Sequence, residues 1–302
     1  HREANVNMLR NWCGQSTSEA LFDLCDEYGI LVWNEFWMTT EGWNLDPKDE
    51  ALMLANATDS IRRFRNHPSI ALWSGRNEGV PPDGINRGLD RRIASLDGTR
   101  HYQPNSRSVN LLHSGPWNYA PEADYFTKHS RGFTTELGVP SLPEAETLRK
   151  FLAPADQWPV SDAWSYHDWH SQGGIGVAPF VQALSNAFGA AEGLDDFSRK
   201  AQALNYATHR AMFEGANSGL FKPCSGLLMW MSHPSWPSTV WQMYAWDYDT
   251  YGAFYGIRKA CEPVHVQYNP VTRAVEAVNR SRAAVRGGRI AAVLAGLDGK
   301  VL

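Results

Sequence analysis

Two glutamates stand where a protein can put a carboxyl to work. Glu78 follows Asn77 just after the apolar run 69–73, and Glu136 closes the run Phe133-Thr134-Thr135 and is followed by Leu137-Gly138. A pair of carboxyl groups is what glycoside hydrolysis needs. One protonates the leaving oxygen, and the other attacks the anomeric carbon or activates water. An amide beside the acid can hold the neighbouring sugar hydroxyl through hydrogen bonds that tighten in the transition state. Each glutamate also has a plainer reading. Glu78 can cap the next helix or face solvent, and Glu136 can end an ordinary surface strand.

Other residues fall at comparable places. In parallel α/β folds, functional groups gather at the carboxyl ends of strands. The strand-end candidates here are Arg10 and Trp12, Glu35 and Trp37, Asn77 and Glu78, His113 and Trp117, Glu136, and Trp230 with His233. Arg10 can keep Glu136 or a neighbouring carboxylate ionised through its charge, or form a purely structural ion pair. Glu35 can bind sugar hydroxyls or act as an acceptor behind the site. Trp12, Trp37, Trp117, Trp230 and Trp236 can wall a sugar site, since an indole face suits the C–H face of a pyranose; singly, each also fits core packing. A metal centre built from His113, His167 and His233 needs a geometry that the sequence does not supply, so neither a metal nor a cofactor is expected. No Ser-His-Asp order appears, and no glycine-rich phosphate loop follows a strand.

The elements around these residues alternate. Strand-like runs at 4–10, 30–33 and 69–73 are separated by helical spacing at 18–28, 49–66 and 85–96, with Gly29 placed to cap the first helix. That rhythm predicts parallel strands with right-handed crossovers, in a doubly wound sheet or a barrel. Further on, 100–103, 109–112, 133–136 and 226–230 read as strands, and 142–152, 194–214 and 253–260 as helices. Residues 154–193, rich in Pro, Gly, Trp and His, read as an elaborate loop. After Pro263, Val264, Val266 and Tyr268 alternate with polar neighbours, the period of a half-buried strand. Weaker strands are expected at 275–278 and 290–294, with hairpin turns at Gly287-Gly288 and Asp298-Gly299.

Composition narrows the class. The 302 residues, 43% hydrophobic and 20% charged, suit a globular chain that buries its core without staples. A net charge of −4 argues against a nucleic-acid partner. No run approaches the roughly 18 apolar residues of a membrane span. Cys13, Cys25, Cys224 and Cys261 show no CxxC spacing and read as buried thiols. The chain opens on His1 and enters a strand within a few residues, so it reads as a piece of a longer protein. Its compartment is left open, with a secreted or periplasmic parent favoured over a cytoplasmic one.

Several stretches together resemble glycoside hydrolase family 2. They are Asn7-Met8-Leu9-Arg10-Asn11-Trp12, the run from Phe22 to Trp33, Arg65-Asn66-His67-Pro68-Ser69-Ile70-Ala71-Leu72-Trp73 leading into Asn77-Glu78, and Thr135-Glu136-Leu137-Gly138-Val139-Pro140-Ser141. The closing stretches, from Trp230 to Trp236 and from Glu262 to Gln267, are similar to the branch holding β-mannosidases, endo-β-mannosidases and exo-β-glucosaminidases. The resemblance implies a (β/α)8 TIM barrel over 1–262 lacking its first strand and helix, and the start of an immunoglobulin-like β-sandwich over 263–302. It also implies missing N-terminal β domains, Glu78 as acid/base, Glu136 as nucleophile, and Arg10 in the place of the family's arginine after the second strand. The glucosaminidase branch tends to carry Asp where Glu78 stands, which favours a mannosidase-like enzyme acting on an oligosaccharide or glycoside. The 154–193 segment, with Trp164, His167, Asp168 and Trp169, has no place in the general family plan and is a candidate to close over a substrate.

Overall fold

Gly29 ends the first helix and releases the chain into the sheet. Helix α1, Glu19–Tyr28, stops where Gly29 turns left-handed at φ 68°, and β2, Leu31–Glu35, begins two residues on. The first strand, β1, is shorter than the sequence predicts. It covers Met8–Asn11, because residues 2–5 close a turn through Ala4 N–H to His1 O and Asn5 N–H to Arg2 O. Helix α2, Glu50–Phe64, starts at Asp49, whose side chain accepts from Leu52 N–H at 2.9 Å. Strand β3, Ile70–Arg76, helix α3, Asp83–Leu96, and strand β4, His101–Asn105, complete the series. The computed structural model describes residues 1–40, 42, 46–108, 111, 114–171, 176–296 and 298–302. The expected strand at 109–112 therefore falls largely outside the described residues.

The four strands are parallel and lie in the order β1-β2-β3-β4. A doubly wound sheet reverses its strand order at a switch point; this sheet steps in one direction, as a barrel wall does. Val32, Ile70 and Trp73 meet Phe22 and Cys25 of α1, Met53, Ala57, Ile61 and Phe64 of α2, and Ile85, Leu89 and Ile93 of α3. Each Val, Ile, Leu, Met or Phe among them, fully buried, contributes ~1.5–3 kcal/mol. Alternation along β2 then turns Trp33 and Glu35 to the other face. Strand β5, Gly132–Leu137, pairs with β6, Cys224–Met229.

The chain divides into two units: His1–Trp117 with Gly132–Gly138 and Gly226–Met231, and Asn118–Arg131 with Val139–Ser225 and Ser232–Leu302. The second unit is organised on a 25-residue helix, α8, Leu194–Ser218. Around it stand the short helix α4, Glu122–Asp124, with the π-turn Tyr125–His129 that continues it, α5, Ala145–Arg149, α7, Val177–Phe188, and α9, Gly252–Ala260. Helices α8 and α9 run close: a Cβ on Gly256 would stand 2.4 Å from Tyr206 O, so only glycine fits there.

Several expectations need correction in this unit. The segment 154–193 is helical over Pro154–Asp156, α6, Asp162–Tyr166, and α7. Val177, Phe180 and Leu184 recur at helical spacing and are buried, a period hidden in the sequence by the surrounding Gly, His and Trp. Two of its three tryptophans are core. Trp164 and Trp169 pack their edges on Phe197 at 6.0 and 6.1 Å and are 0% and 3% exposed, so neither is a loop residue free to close over a substrate. The helix expected at 142–152 shrinks to α5. Residues 290–294 form no strand and are exposed; near them, among the described residues, Ala295 and Val301 bridge.

The tail carries an antiparallel pair, β7, Val264–Asn269, and β8, Ala274–Asn279. The alternation is as expected, but the faces are inverted. His265, Gln267 and Asn269 are buried, whereas Val264, Val266 and Tyr268 are about half exposed. The reason is polar pairing with α8: His265 Nε2 meets Glu214 Oε1 at 2.8 Å and Gln267 donates to Glu214 O at 2.8 Å. All four cysteines are buried free thiols, and no described helix is long and apolar enough to cross a membrane.

Candidate active site

Arg10, on β1, is the hub of the first unit. Its Nε donates to Glu35 Oε1 at 2.6 Å and its Nη1 to Glu136 Oε1 at 2.6 Å. Its Nη2 donates to Asn77 Oδ1 and to Ser106 Oγ at 2.9 Å. These four partners come from β2, the residue after β3, the residue after β4, and β5. One guanidinium thus ties together the ends of the parallel strands and the strand that carries Glu136. Its side chain is 5% exposed, and those of Glu35 and Glu136 are 0% and 5% exposed. Burial alone would lower the Arg10 pKa, but the charges of Glu35 and Glu136 outweigh it and raise the pKa above the usual arginine value.

Glu136 is held at both oxygens, Oε1 by Arg10 and Oε2 by the indole N–H of Trp117 at 3.2 Å. Burial pushes its carboxyl up. Arg10 pulls it back through charge and hydrogen bond, the nearby charges of Glu78 and Glu35 push it up again, and the net shift is upward. Its backbone is fixed as well. Glu136 O accepts from Gly115 N–H at 2.6 Å, and Gly138 N–H donates to Pro116 O at 3.0 Å, so the 114–117 segment is laced along the end of β5.

Glu78 sits on a left-handed backbone, φ 57°, and Gly79 N–H reaches back to Asn77 O at 2.7 Å. A non-glycine residue in such a tight turn stores strain of order 1–3 kcal/mol, which persists only where the surroundings over-determine it. They do here: Glu78 N–H donates to Ser106 Oγ at 3.0 Å, Thr40 Oγ1 donates to Oε2 at 3.2 Å, and Ser114 Oγ donates to Oε1 at 2.5 Å. Ser106 also gives its hydroxyl hydrogen to Asn77 Oδ1 at 3.1 Å.

The residues singled out in the sequence fall into groups. Arg10, Glu35, Asn77, Glu78, Trp117 and Glu136 form one hydrogen-bonded cluster. Glu35 is shut away from any ligand within it: Oε1 accepts from Arg10 and from Trp33 Nε1 at 2.9 Å, Oε2 accepts from Cys13 N–H at 2.7 Å, and no side-chain surface is exposed. Trp12 and Trp230 meet each other edge-on, ring centres 5.5 Å apart. Trp12 Nε1 is buried and has no partner among the described residues. Trp37 does not join the cluster, since β2 and its alternation end at Glu35. It lines a separate cleft of about 290 Å³ with Thr17, Asn56, Asp59, Ser60, Arg63 and Phe64. Trp236 belongs to the second unit, where it stacks on His167 at 5.5 Å and 28°. His113 lies outside the described residues. Thr40, Ser106 and Ser114 were missed; each is a lone hydroxyl in a connection, and no sequence period marks it.

Among the described residues, one set has metal-type donor atoms within 4.8 Å of one another: Asp23, Asp26 and His67. It is already knitted as a clip from α1 to the start of β3. His67 Nδ1 meets Asp26 Oδ2 at 2.7 Å, and Ser69 N–H donates to Asp26 Oδ1 at 2.8 Å. His167 and His233 pair with the carbonyls of Pro237 and Trp246 instead.

Comparison with known proteins points to one enzyme family. Residues 2–128 match the family model "Glycosyl hydrolases family 2, TIM barrel domain". A mannosylglycoprotein endo-β-mannosidase of Lilium longiflorum is 32% identical, over 99% of this chain and 37% of the relative. An exo-β-D-glucosaminidase of Streptomyces avermitilis is 29% identical, over 95% of this chain and 35% of the relative. Among solved structures, a β-D-mannosidase from Dictyoglomus thermophilum aligns with a TM-score of 0.80 at 26% identity, covering 93% of this chain and 38% of its own. An Amycolatopsis orientalis exo-chitosanase, in complex with PNP-β-D-glucosamine, aligns at 0.79 and 25% identity, covering 92% of this chain and 36% of its own. The chain spans just over a third of the length of these relatives.

Proposed function

We propose that this chain, which belongs to glycoside hydrolase family 2 and has the α/β fold of its TIM barrel domain, carries the catalytic centre of a retaining β-glycosidase. Glu136 is the nucleophile and Glu78 the acid/base. The observation that carries the reading is the Arg10 hub: a single buried guanidinium holds Glu136 and, through Asn77, the residue next to Glu78. The charge of Glu78 is also among those that raise the Glu136 carboxyl, after burial and against the pull of Arg10.

The reaction runs by double displacement. Glu136, ionised beside Arg10, attacks the anomeric carbon while Glu78 protonates the departing oxygen. Glu78 then takes a proton from water, and the water oxygen displaces Glu136. Retention calls for carboxyls about 5–5.5 Å apart. Asn77 offers an amide hydrogen beside the scissile bond, and Trp12 and Trp230 supply aromatic surface for the sugar. The substrate is β-mannosidase-like. The lily relative is named as an endo-β-mannosidase, and position 78 holds Glu rather than the Asp of the glucosaminidase branch. The glucosaminidase relatives make a β-glucosaminide the second candidate.

The test uses the protein at its full natural length. Glu136→Gln abolishes turnover of an aryl β-glycoside, and azide restores activity to Glu78→Ala with an activated aryl leaving group, releasing the β-glycosyl azide. Full activity in either variant overturns the assignment. A panel of aryl β-mannosides, β-glucosaminides and β-galactosides identifies the sugar, and binding without turnover of any of them points to a non-catalytic carbohydrate-binding chain.

A further inference from the structure

A hydrogen-bonded path joins the two glutamates. Arg10 Nη1 donates to Glu136 Oε1 at 2.6 Å, and Arg10 Nη2 donates to Asn77 Oδ1. Asn77 Nδ2 donates to Thr40 Oγ1 at 2.8 Å, and Thr40 Oγ1 donates to Glu78 Oε2 at 3.2 Å. The direction of each link is set from the Arg10 end. A guanidinium has only hydrogens to give, so Asn77 turns its oxygen to Arg10 and its nitrogen to Thr40. That nitrogen can only donate, so the Thr40 oxygen accepts. Its single hydroxyl hydrogen is left for Glu78 Oε2. This oxygen therefore accepts whether Glu78 is protonated or not.

The other oxygen has a different neighbour. Ser114 Oγ lies 2.5 Å from Glu78 Oε1, within the range of hydrogen bonds that involve an ionised group. A serine hydroxyl can give or take, and Ser114 has no part in the Arg10–Asn77 path that orients Thr40.

We infer that Thr40 and Ser114 divide the work on Glu78: Thr40 fixes Oε2 as a permanent acceptor, so the mobile proton resides on Oε1, where Ser114 turns with it. With Glu78 protonated, Ser114 accepts from Oε1. As the bond to the leaving oxygen breaks, its electron pair departs with that oxygen, the Oε1 proton moves onto it, and Ser114 rotates to donate to the new carboxylate. When water attacks the glycosyl-enzyme, its proton returns to Oε1 and Ser114 turns back. Neither hydroxyl gains or loses a proton over the cycle. Both are positioning residues, and the inference rests on the reading of Glu78 as the acid/base.

The experiment compares kcat/KM, which reports the first displacement, for phenyl and 2,4-dinitrophenyl glycosides of the sugar that the full-length protein turns over. The dinitrophenolate leaves with little protonation, and phenolate needs it. General acid catalysis contributes about 10²–10⁴-fold. Thr40→Val and Ser114→Ala, which impair but keep the acid, are expected to lose ~10–100-fold on the phenyl substrate and at least about tenfold less on the dinitrophenyl one. Thr40→Ser and Ser114→Thr keep the hydroxyls and recover most of the loss. Equal losses on both substrates, or none on either, overturn the proposal. Glu78→Gln in the same series separates the two levels. If it shows a steep dependence on the leaving group while the hydroxyl variants are flat, the division of labour fails and the acid/base assignment stands. If Glu78→Gln is itself flat, the assignment falls and the inference with it.

Discussion

Replacing Arg10 by Met removes one charge and strands two. Glu35 and Glu136 are each 2.6 Å from the guanidinium, with side chains 0% and 5% exposed, so neither finds water as a substitute. Breaking one buried ion pair by deleting a partner costs about 3–5 kcal/mol, chiefly through the charge left behind. Here one deletion breaks two pairs, and two carboxylates that remain buried near each other repel. The partial escape is protonation. Glu136 already lies above the ordinary glutamate range because burial pushes it up, and Arg10 is what holds it down. Without Arg10 it rises further. A group with a raised pKa in the folded state makes folding less favourable as pH rises through that pKa, because the folded protein gives up a proton that the unfolded chain has already lost. The expected loss for Arg10→Met is therefore ~4–6 kcal/mol at pH 7 and shrinks towards pH 5. Set against a total stability of about 5–15 kcal/mol, it is near the limit of folding, so Arg10→Lys serves as the companion. Lys keeps the charge but cannot serve four acceptors from a planar fork, and ~2–3 kcal/mol is the expected loss for the charged hydrogen bonds it drops. Urea midpoints with their slopes, measured from pH 5 to 8, read both. Adding Glu35→Gln to Arg10→Met should return part of the loss, since that removes one of the orphaned charges. A loss for Arg10→Met under about 1 kcal/mol, or one that does not vary with pH, refutes the account of Arg10 as the counter-charge of a buried carboxylate pair.

Two further outcomes bear on titration. The raised Glu136 carboxyl places the acidic limb of the kcat/KM profile above the usual glutamate value, with activity lost as pH falls through it; a limb at or below the usual value contradicts the environment described. In the second unit, His209 is buried on α8 with Nδ1 on Asn205 O at 2.8 Å, and burial lowers its pKa to about 4. Its neutral form is the one that folds, so the chain loses stability as pH falls from about 6.5 to about 4, on the order of 3 kcal/mol from this group. His209→Gln flattens that loss, and an unchanged slope of stability against pH between those values would remove the histidine from the explanation.

The strand–helix rhythm of the first hundred residues was legible because each helix carries its own apolar period and its own stops, Gly29 and Asp49 among them. The carboxylates, Asn77 and Arg10 were legible because strand ends are where parallel sheets expose chemistry. What the sequence hid was long-range. Ser106 and Ser114 matter only because the ends of β4 and β5 bring them to Glu78, across 28 and 36 positions. The period of α7 was drowned by its neighbours. In β7 the apolar side was a poor guide, because Glu214 on α8 offers the polar side better partners than any core could.

The left-handed turn at Glu78 limits what evolution can write at that position. Valine, isoleucine and threonine are disfavoured there by their branched Cβ, whereas Asp and Asn visit this backbone region more readily than most residues. Exchange of the longer acid for the shorter thus asks nothing of the main chain. It draws the carboxyl back by one methylene from Thr40 and Ser114, which hold it here at 3.2 and 2.5 Å. On the acid/base assignment proposed for Glu78, divergence between acids at this site alters how far the proton is carried, with the main chain of the turn unchanged.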